Sequence, residues 1–530
     1  MNQKHRPDLN TNRRSLIKGA ASLAGLGAIE MLLRARSPGS SLILPQLAWG
    51  ALEKNPEPFV LYVHMAGGWH GWNSGLFQPD KPGVEGFPEG VFEGGKKAGS
   101  ANPFVNRHFR SGPFLFNSYS KVLAPIADNL VIAVCNARTV SHDDGMLLQS
   151  SGSRVPGNSG TPTWPVGIAS VCERYFDDNG LVVTASGSTR TGFTANNARL
   201  ISSRNHVSFA RAHTENPRIQ KIPLDLKSKF SSLASMLSES FNGISPLSAE
   251  TKESFHRSLA AIDEGLPTDL AADPADRSNP IADIKNPTLL NLTQTLTFDA
   301  MKAALSAAMM EGSEDLGLKG TLAQADARKG NYVSFLESLQ LAGLLASSGQ
   351  ANGLTLNAPD VHDSHGGGAC VDDAQSSAIL MACLQIFWKW IVAKGLNKKV
   401  MVIVSSDFSR SPYNANTAER KIWVNGAETT IQSKGTDHWP VVYTLILSGA
   451  LVPGRVGAFL DAGSCCGTKD RNGTPAPDIP AYTSTQVVAS AFLKAWPELW
   501  RGRPVANGWR AIKEVWPDFV ETDVLEEILI

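Results

Sequence analysis

Phe59-Val60-Leu61-Tyr62-Val63-His64-Met65-Ala66-Gly67-Gly68 is the stretch on which the fold turns. Apolar, β-favouring residues run without a break and stop at two glycines, which is how a strand buried on both faces of a parallel sheet passes into a loop. The one polar interruption, His64, reads as a core residue whose ring is satisfied by a neighbour. Leu130 to Cys135 and Val400 to Val404 repeat the pattern, and Val442 to Leu447 is a further candidate strand. Ahead of Val400 lies a segment, Ala374 to Lys394, whose apolar residues Ile379, Cys383, Phe387 and Ile391 recur at every fourth position, as on one face of a helix. Helix followed by buried strand implies crossover units. The chain is therefore predicted to be an α/β protein with a largely parallel sheet flanked by helices.

Away from these strands the texture changes. Between about Leu224 and Ser348, Ala, Leu, Ser, Lys and Glu recur at helical spacing, broken near Pro267-Thr268 and by Asp273-Pro274 and Asn279-Pro280, so 224–348 is expected to form a helical insertion. The Gly- and Pro-rich stretches 79–102 and 463–480 read as long loops. At the start, a polar lead runs into Arg13-Arg14 and then a mainly apolar run from Gly19 to Leu33 interrupted by Glu30, the pattern of a twin-arginine export signal. That run is too short for a bilayer span, which needs about 20 apolar residues, so no permanent membrane span is expected. Residues 1–50 are assigned to the signal segment and 51–530 to one α/β domain carrying the insertion. The expected destination is the periplasm or the extracellular space, with the twin-arginine export machinery as a partner.

Lys plus Arg and Asp plus Glu each number 49, without a long run of one sign, so nothing here attracts a phosphate backbone and nucleic acid is excluded as a partner. Six cysteines are too sparse for a disulfide scaffold. The adjacent pair Cys465-Cys466 sits in a Gly-rich loop where a structural disulfide from one of them is expected, while Cys135 and Cys383 read as small core residues.

Polar clusters accompany the strands. They are Gly67-Gly68-Trp69-His70-Gly71-Trp72-Asn73-Ser74, then Ser141-His142-Asp143-Asp144, then Asp360, His362, Asp363 and His365 ahead of three glycines, then Ser405-Ser406-Asp407-Phe408-Ser409-Arg410, and Gly435-Thr436-Asp437-His438-Trp439. Open α/β sheets bind ligands beyond the carboxyl ends of their strands, and a fold gathers such loops at one edge. Taken singly, Asp360, His362 and Asp437 read as turn formers or hydrogen-bonded structure, and the tryptophans as packing. Together, imidazole and carboxylate suit a divalent ion: Zn, Mn, Mg or Ca.

The order Gly-Gly-Trp, Ser-His, Asp-Ser-His-Gly, Ser-Ser-Asp-Phe-Ser-Arg, Gly-Thr-Asp-His-Trp resembles the exported bacterial family called domain of unknown function 1501, over about Phe59 to Phe459. That family is grouped with the alkaline phosphatase and sulfatase superfamily, so the resemblance implies an alkaline-phosphatase-like core. It also implies metal ligands at Asp363, His365, Asp407 and His438, with Ser141 and His142 where a nucleophile or substrate contact would sit. His70 stands where the family pattern has Asp and remains a candidate ligand, and Ser409 replaces a Gly. On this resemblance the chain is expected to be a metal-dependent hydrolase or transferase acting on a phosphate or sulfate ester, small molecule or polymer, with Arg410 stabilising developing negative charge. The alternative is a non-catalytic exported binding or surface-assembly protein that retains the fold.

Overall fold

The structure, a computed structural model, describes residues 58–71, 104, 107, 109–153, 161–176, 181–184, 199–202, 287–348, 351–366, 369–410, 417–424, 427–456, 468–469, 475–476, 482–497 and 516. The signal segment 1–50, the loop 79–102, residues 224–286 of the expected insertion and the Cys465-Cys466 pair lie outside them. All described residues belong to one compact unit, 56–209 with 284–530.

An eight-stranded sheet forms its centre. In chain order the strands are β1 (Phe59–Met65), β2 (Leu130–Asn136), β3 (Leu181–Thr184), β4 (Arg199–Ser202), β5 (Gly353–Asn357), β6 (Val400–Ser406), β7 (Val441–Leu447) and β8 (Gly454–Val456). Across the sheet they lie in the order β8-β2-β7-β6-β1-β5-β3-β4. β1 pairs in parallel with β5 and β6, β3 with β4 and β5, and β8 with β2; β7 alone runs antiparallel, between β6 and β2. Every residue of β1, β6 and β7 is buried, as continuous apolar runs require.

Helices cover the sheet. α1 (His142–Ser150) follows β2, and α2 (Trp164–Phe176) precedes β3. Four helices fill 287–348: α3 (Pro287–Thr295), α4 (Phe298–Ala308), α5 (Leu318–Ala327) and α6 (Lys329–Ser348). α7 (Ala369–Ala393) precedes β6, and α8 (Ser484–Ala495) opens on Thr483 with a full capping box to Gln486. One face of the sheet packs Val60, Tyr62, Met401 and Ile403 against Trp164, Phe492, Trp496 and Trp516. α7 is the hub for α4, α5 and the 3-10 helix Lys121–Asn129. Cys370–Ala393 is long and apolar enough to cross a membrane, yet 78% of its apolar stretch is buried inside the protein, as a core helix demands. Cys135, Cys370 and Cys383 are buried and in no disulfide among the described residues, and burial pushes the Cys135 thiol up to about 12.

The architecture is thus the predicted one, a largely parallel sheet flanked by helices. Register makes it useful: His64 pairs with Ser405 on β6 and with Asn357 on β5, so three central strands end level at one edge. Because β7 is reversed, its entry loop arrives at the same edge as the exits of β1, β2, β5 and β6.

Candidate functional site

Four strand exits and one strand entry deliver five loops to this edge. The β1 exit is shaped by glycine: Gly67 and Gly68 have φ of 101° and 90°, where side chains are strained. A Cβ on Gly67 would stand 3.0 Å from the Asp363 nitrogen, and one on Gly68 would stand 2.7 Å from the Phe408 ring. The glycines therefore let the β1 loop thread between the loops that follow β5 and β6.

Three imidazoles meet beside it. His142 begins α1, His365 ends the β5 loop and His438 lies just ahead of β7. One ring nitrogen from each falls within 4.8 Å of the other two. His365 Nε2 is 2.8 Å from His438 Nε2, and the His142 and His438 rings meet edge to face with centroids 4.7 Å apart. The His142 and His365 side chains are 44% and 42% exposed, so the cluster is open to solvent and ligand.

Their outer nitrogens are already committed. His142 Nδ1 lies 2.7 Å from Asp407 Oδ2, and His438 Nδ1 lies 2.8 Å from the Val140 carbonyl. Carboxylate and carbonyl oxygens only accept, so each Nδ1 carries the proton and each Nε2 keeps its lone pair. His365 Nε2 faces His438 Nε2 at 2.8 Å, and the His365 ring also bonds the Thr436 backbone; for His365 to bind a cation through Nε2 its proton must sit on Nδ1. Burial lowers the pKa of His365, and the Arg410 charge adds to it; burial also lowers that of His438, with Arg410, His142 and His365 acting in the same sense. Neutral imidazoles with fixed tautomers are the donor set a divalent ion requires, and three of them match a recurrent zinc arrangement. The residues present fit a divalent metal ion.

Asp407 sits behind the cluster with its side chain 4% exposed. Burial alone would raise its pKa, but His142, His64 and the Gly67 N–H hold it well below the usual carboxylate range. Its Oδ1 lies 2.7 Å from His64 Nε2 along a bent approach, and its Oδ2 accepts the Gly67 N–H at 3.1 Å. Both carboxylate oxygens therefore face groups of the protein.

Arg410 is fully buried. Its Nε donates to the Gly68 carbonyl at 3.1 Å, Nη2 donates to the Gly67 carbonyl and lies 3.2 Å from Asp363 Oδ1, and Nη1 has no hydrogen-bond partner among the described residues. Burial lowers its pKa while Asp363, Asp373, Asp407 and Asp437 pull the other way. Asp363 Oδ1 is 3.9 Å from His365 Nε2, and Asp437 Oδ1 is 4.0 Å from His365 Nδ1, so two carboxylates flank the cluster.

Of the residues singled out in the sequence, His142, His365 and His438 meet directly, Asp363 flanks them, and Asp407 reaches them through His142. Ser141 is exposed at the N-cap of α1, its hydroxyl making no capping bond. His70 is buried, and its backbone N–H bonds Asp373. His362 pairs with Asp373 at 2.6 Å inside the protein, and Asp360 binds Arg328 and the Tyr332 hydroxyl. Sequence reasoning left His64 in the core and overlooked its grip on Asp407. A histidine in an apolar strand, one step before the loop that lines the site, was the available signal.

No protein-family model matches this chain, and the curated proteins contain no match to it. Among solved structures, the PsFucS1 sulfatase from Pseudoalteromonas sp. is similar at 9% identity over 87% of this chain and 72% of its own, with a TM-score of 0.27. A magnesium-bound mutant of TAB5 alkaline phosphatase is similar at 12% identity over 76% of this chain and 95% of its own, with a TM-score of 0.25. At such scores the likeness decides nothing about the site, and the fold class rests on the sheet topology above.

Proposed function

We propose that this chain is an exported, metal-dependent hydrolase or transferase acting on a phosphate or sulfate ester. The observation that carries the proposal is the convergence of three imidazoles, with the outer nitrogens of His142 and His438 engaged, near the buried guanidinium of Arg410. Support also comes from the motif order that resembles the alkaline phosphatase and sulfatase superfamily. His142, His365 and His438 would hold the ion, with Asp363 beside them. A divalent ion in such a place polarises an ester oxygen and activates a hydroxyl or water. Arg410, fixed by the Gly67 and Gly68 carbonyls, supplies positive charge that needs no rearrangement as negative charge develops. Ser141, adjoining His142 in sequence, is the side chain offered as nucleophile or substrate contact.

A second reading, a non-catalytic exported binding or surface-assembly protein, is favoured by Asp143 and Asp144. They occupy the first turn of α1 beside Ser141, where their negative charge opposes an anionic ester. Elemental analysis of the purified protein, with a screen of aryl phosphates and aryl sulfates, separates the two. Bound metal with turnover is expected; bound metal without turnover across several divalent ions supports the second reading, and absence of metal binding defeats the metal-centred reading. Export is tested through Arg13 and Arg14: changing both to Lys should leave unprocessed precursor in the cytoplasm. Mature protein still appearing outside would remove the signal assignment.

A further inference from the structure

Behind the three-histidine cluster a file of buried side chains runs from the middle of β1 to a ring at the surface. His64 is 2% exposed; its Nδ1 lies 3.3 Å from the Tyr62 hydroxyl and its Nε2 lies 2.7 Å from Asp407 Oδ1. Asp407 Oδ2 meets His142 Nδ1 at 2.7 Å and the Gly67 N–H at 3.1 Å. An ionised carboxylate is an acceptor only, so His64 Nε2 and His142 Nδ1 each present a proton to it. His64 Nδ1 faces the Tyr62 hydroxyl, which can donate to it. The His142 contact is a hydrogen bond, while the approach of His64 Nε2 to Oδ1 is close but bent, an electrostatic contact on the oxygen that His142 leaves open.

Geometry explains why the second histidine matters. The terminal torsion of Asp is soft, so a carboxylate held at one oxygen can swing. His64 approaches the oxygen that His142 does not use, and strand register leaves His64 little freedom, since it is paired to both Ser405 and Asn357. His142, at the first position of α1, packs against the Phe408 and His438 rings but is 44% exposed, so it is less confined than His64. We infer that His64 is a positioning residue: through Asp407 it fixes His142 as the Nδ1–H tautomer and so reserves Nε2 of that ring for the cluster. This role rests on the three-histidine reading above, and the test is arranged so that the two can fail separately.

The full-length protein would be labelled with 15N-histidine and studied without metal, the His142 signals being identified by their loss in His142→Gln. The Nδ1–H tautomer is expected for His142; the Nε2–H tautomer would overturn the inference whether or not metal binds. Zinc alone would then be titrated into wild type, His64→Leu and His64→Gln. Outer partners of metal-bound histidines are worth about 10- to 100-fold in affinity. His64→Leu should therefore weaken zinc binding by about that factor and mix the His142 tautomers, while His64→Gln, whose amide keeps a donor near the place of Nε2, should stay within about threefold of wild type. Unchanged zinc affinity and an unchanged tautomer in His64→Leu would defeat the inference. Should His64→Leu not fold, the His64→Gln titration and the wild-type tautomer decide it: a His64→Gln protein that folds like wild type but binds zinc as poorly as His142→Gln would count against it. A wild type that binds no zinc but shows the Nδ1–H tautomer would sink the metal reading and leave the positioning role intact.

Discussion

Replacing Asp407 by Asn keeps the size of the side chain and removes an acceptor that two imidazoles face. The amide can accept from one ring but turns an NH2 group toward the other, which forces that ring to flip its tautomer or leaves a buried donor without a partner. Such a loss costs about 1–3 kcal/mol. Asp407→Asn is accordingly expected to lower the thermal midpoint modestly and zinc affinity by about 10- to 100-fold. Asp437→Asn should stay within about threefold of wild type in affinity, because its oxygen accepts the His438 backbone N–H and lies 4.0 Å from the His365 ring. Zinc stoichiometry and thermal midpoint measured for both variants check the ranking, and a reversal would mean that the cluster is held from the other side. At this scale the sequence was partly legible. Asp363, His365 and His438 carry short-range signals, each sitting in a polar loop next to glycine. His64 carries only its place in an apolar strand just before the site loop, because its role depends on Asp407, brought alongside by the β1–β6 register.

Among the elements, α1 is the one whose placement the site depends on most. A Cβ on Gly145 would stand 2.4 Å from the Asp407 carbonyl oxygen and 3.0 Å from its Cα, backbone atoms that cannot turn aside. Gly145→Ala must push α1 off the end of β6, and because His142 lies nearly one turn earlier on that helix, it moves away from Asp407 with it. The expected cost is about 1–3 kcal/mol of stability, as for other overpacked contacts. A loss of zinc affinity should accompany it. Gly330→Ala in α6 is the control: nothing lies within 4 Å of the added methyl, and it should be neutral or stabilising by up to about 1 kcal/mol. Equal behaviour of the two variants in thermal and zinc titrations would remove α1 from the site. β1, β2, β6 and β7 were legible because each is a continuous apolar run, and α7 because its stripe is regular. The direction of β7 was not, since pairing sense is set by the connections and not by the strand's own residues. α7 also starts earlier than its apolar pattern, at Ala369, where Asp372 favours a first turn and Asp373, one residue on, holds His362. β5 escaped notice because five residues, Gly353–Asn357, are too few for a periodic signal.

For the molecule as a whole, the gathering of the clusters that follow β1, β2 and β6 at one sheet edge was legible from the strands, while the arrival of the other two was not, because it depends on the short β5 and on the reversal of β7. The consequence is a pH dependence with a definite sign. His365 and His438 have folded pKa values below the ordinary histidine value, so between those values the unfolded chain binds more protons than the folded one. Stability contributed by these rings is therefore full above about pH 6.5 and falls as the pH drops through the histidine range. Asp407 acts lower down: its folded pKa is depressed, so its contribution holds above about pH 4 and is lost only as the pH falls further. Zinc stabilises the folded state in proportion to how far its concentration exceeds the dissociation constant, and protonated imidazoles raise that constant. The rise in thermal midpoint produced by a fixed zinc concentration should be clear at about pH 7.5 and largely gone at about pH 5.5, while the metal-free fold still melts cooperatively at both. His142→Ala should show little of this rise at either pH. A zinc increment that survives undiminished at the lower pH would point to carboxylates such as Asp363 and Asp437 as the binding groups, because they stay deprotonated there and imidazoles do not.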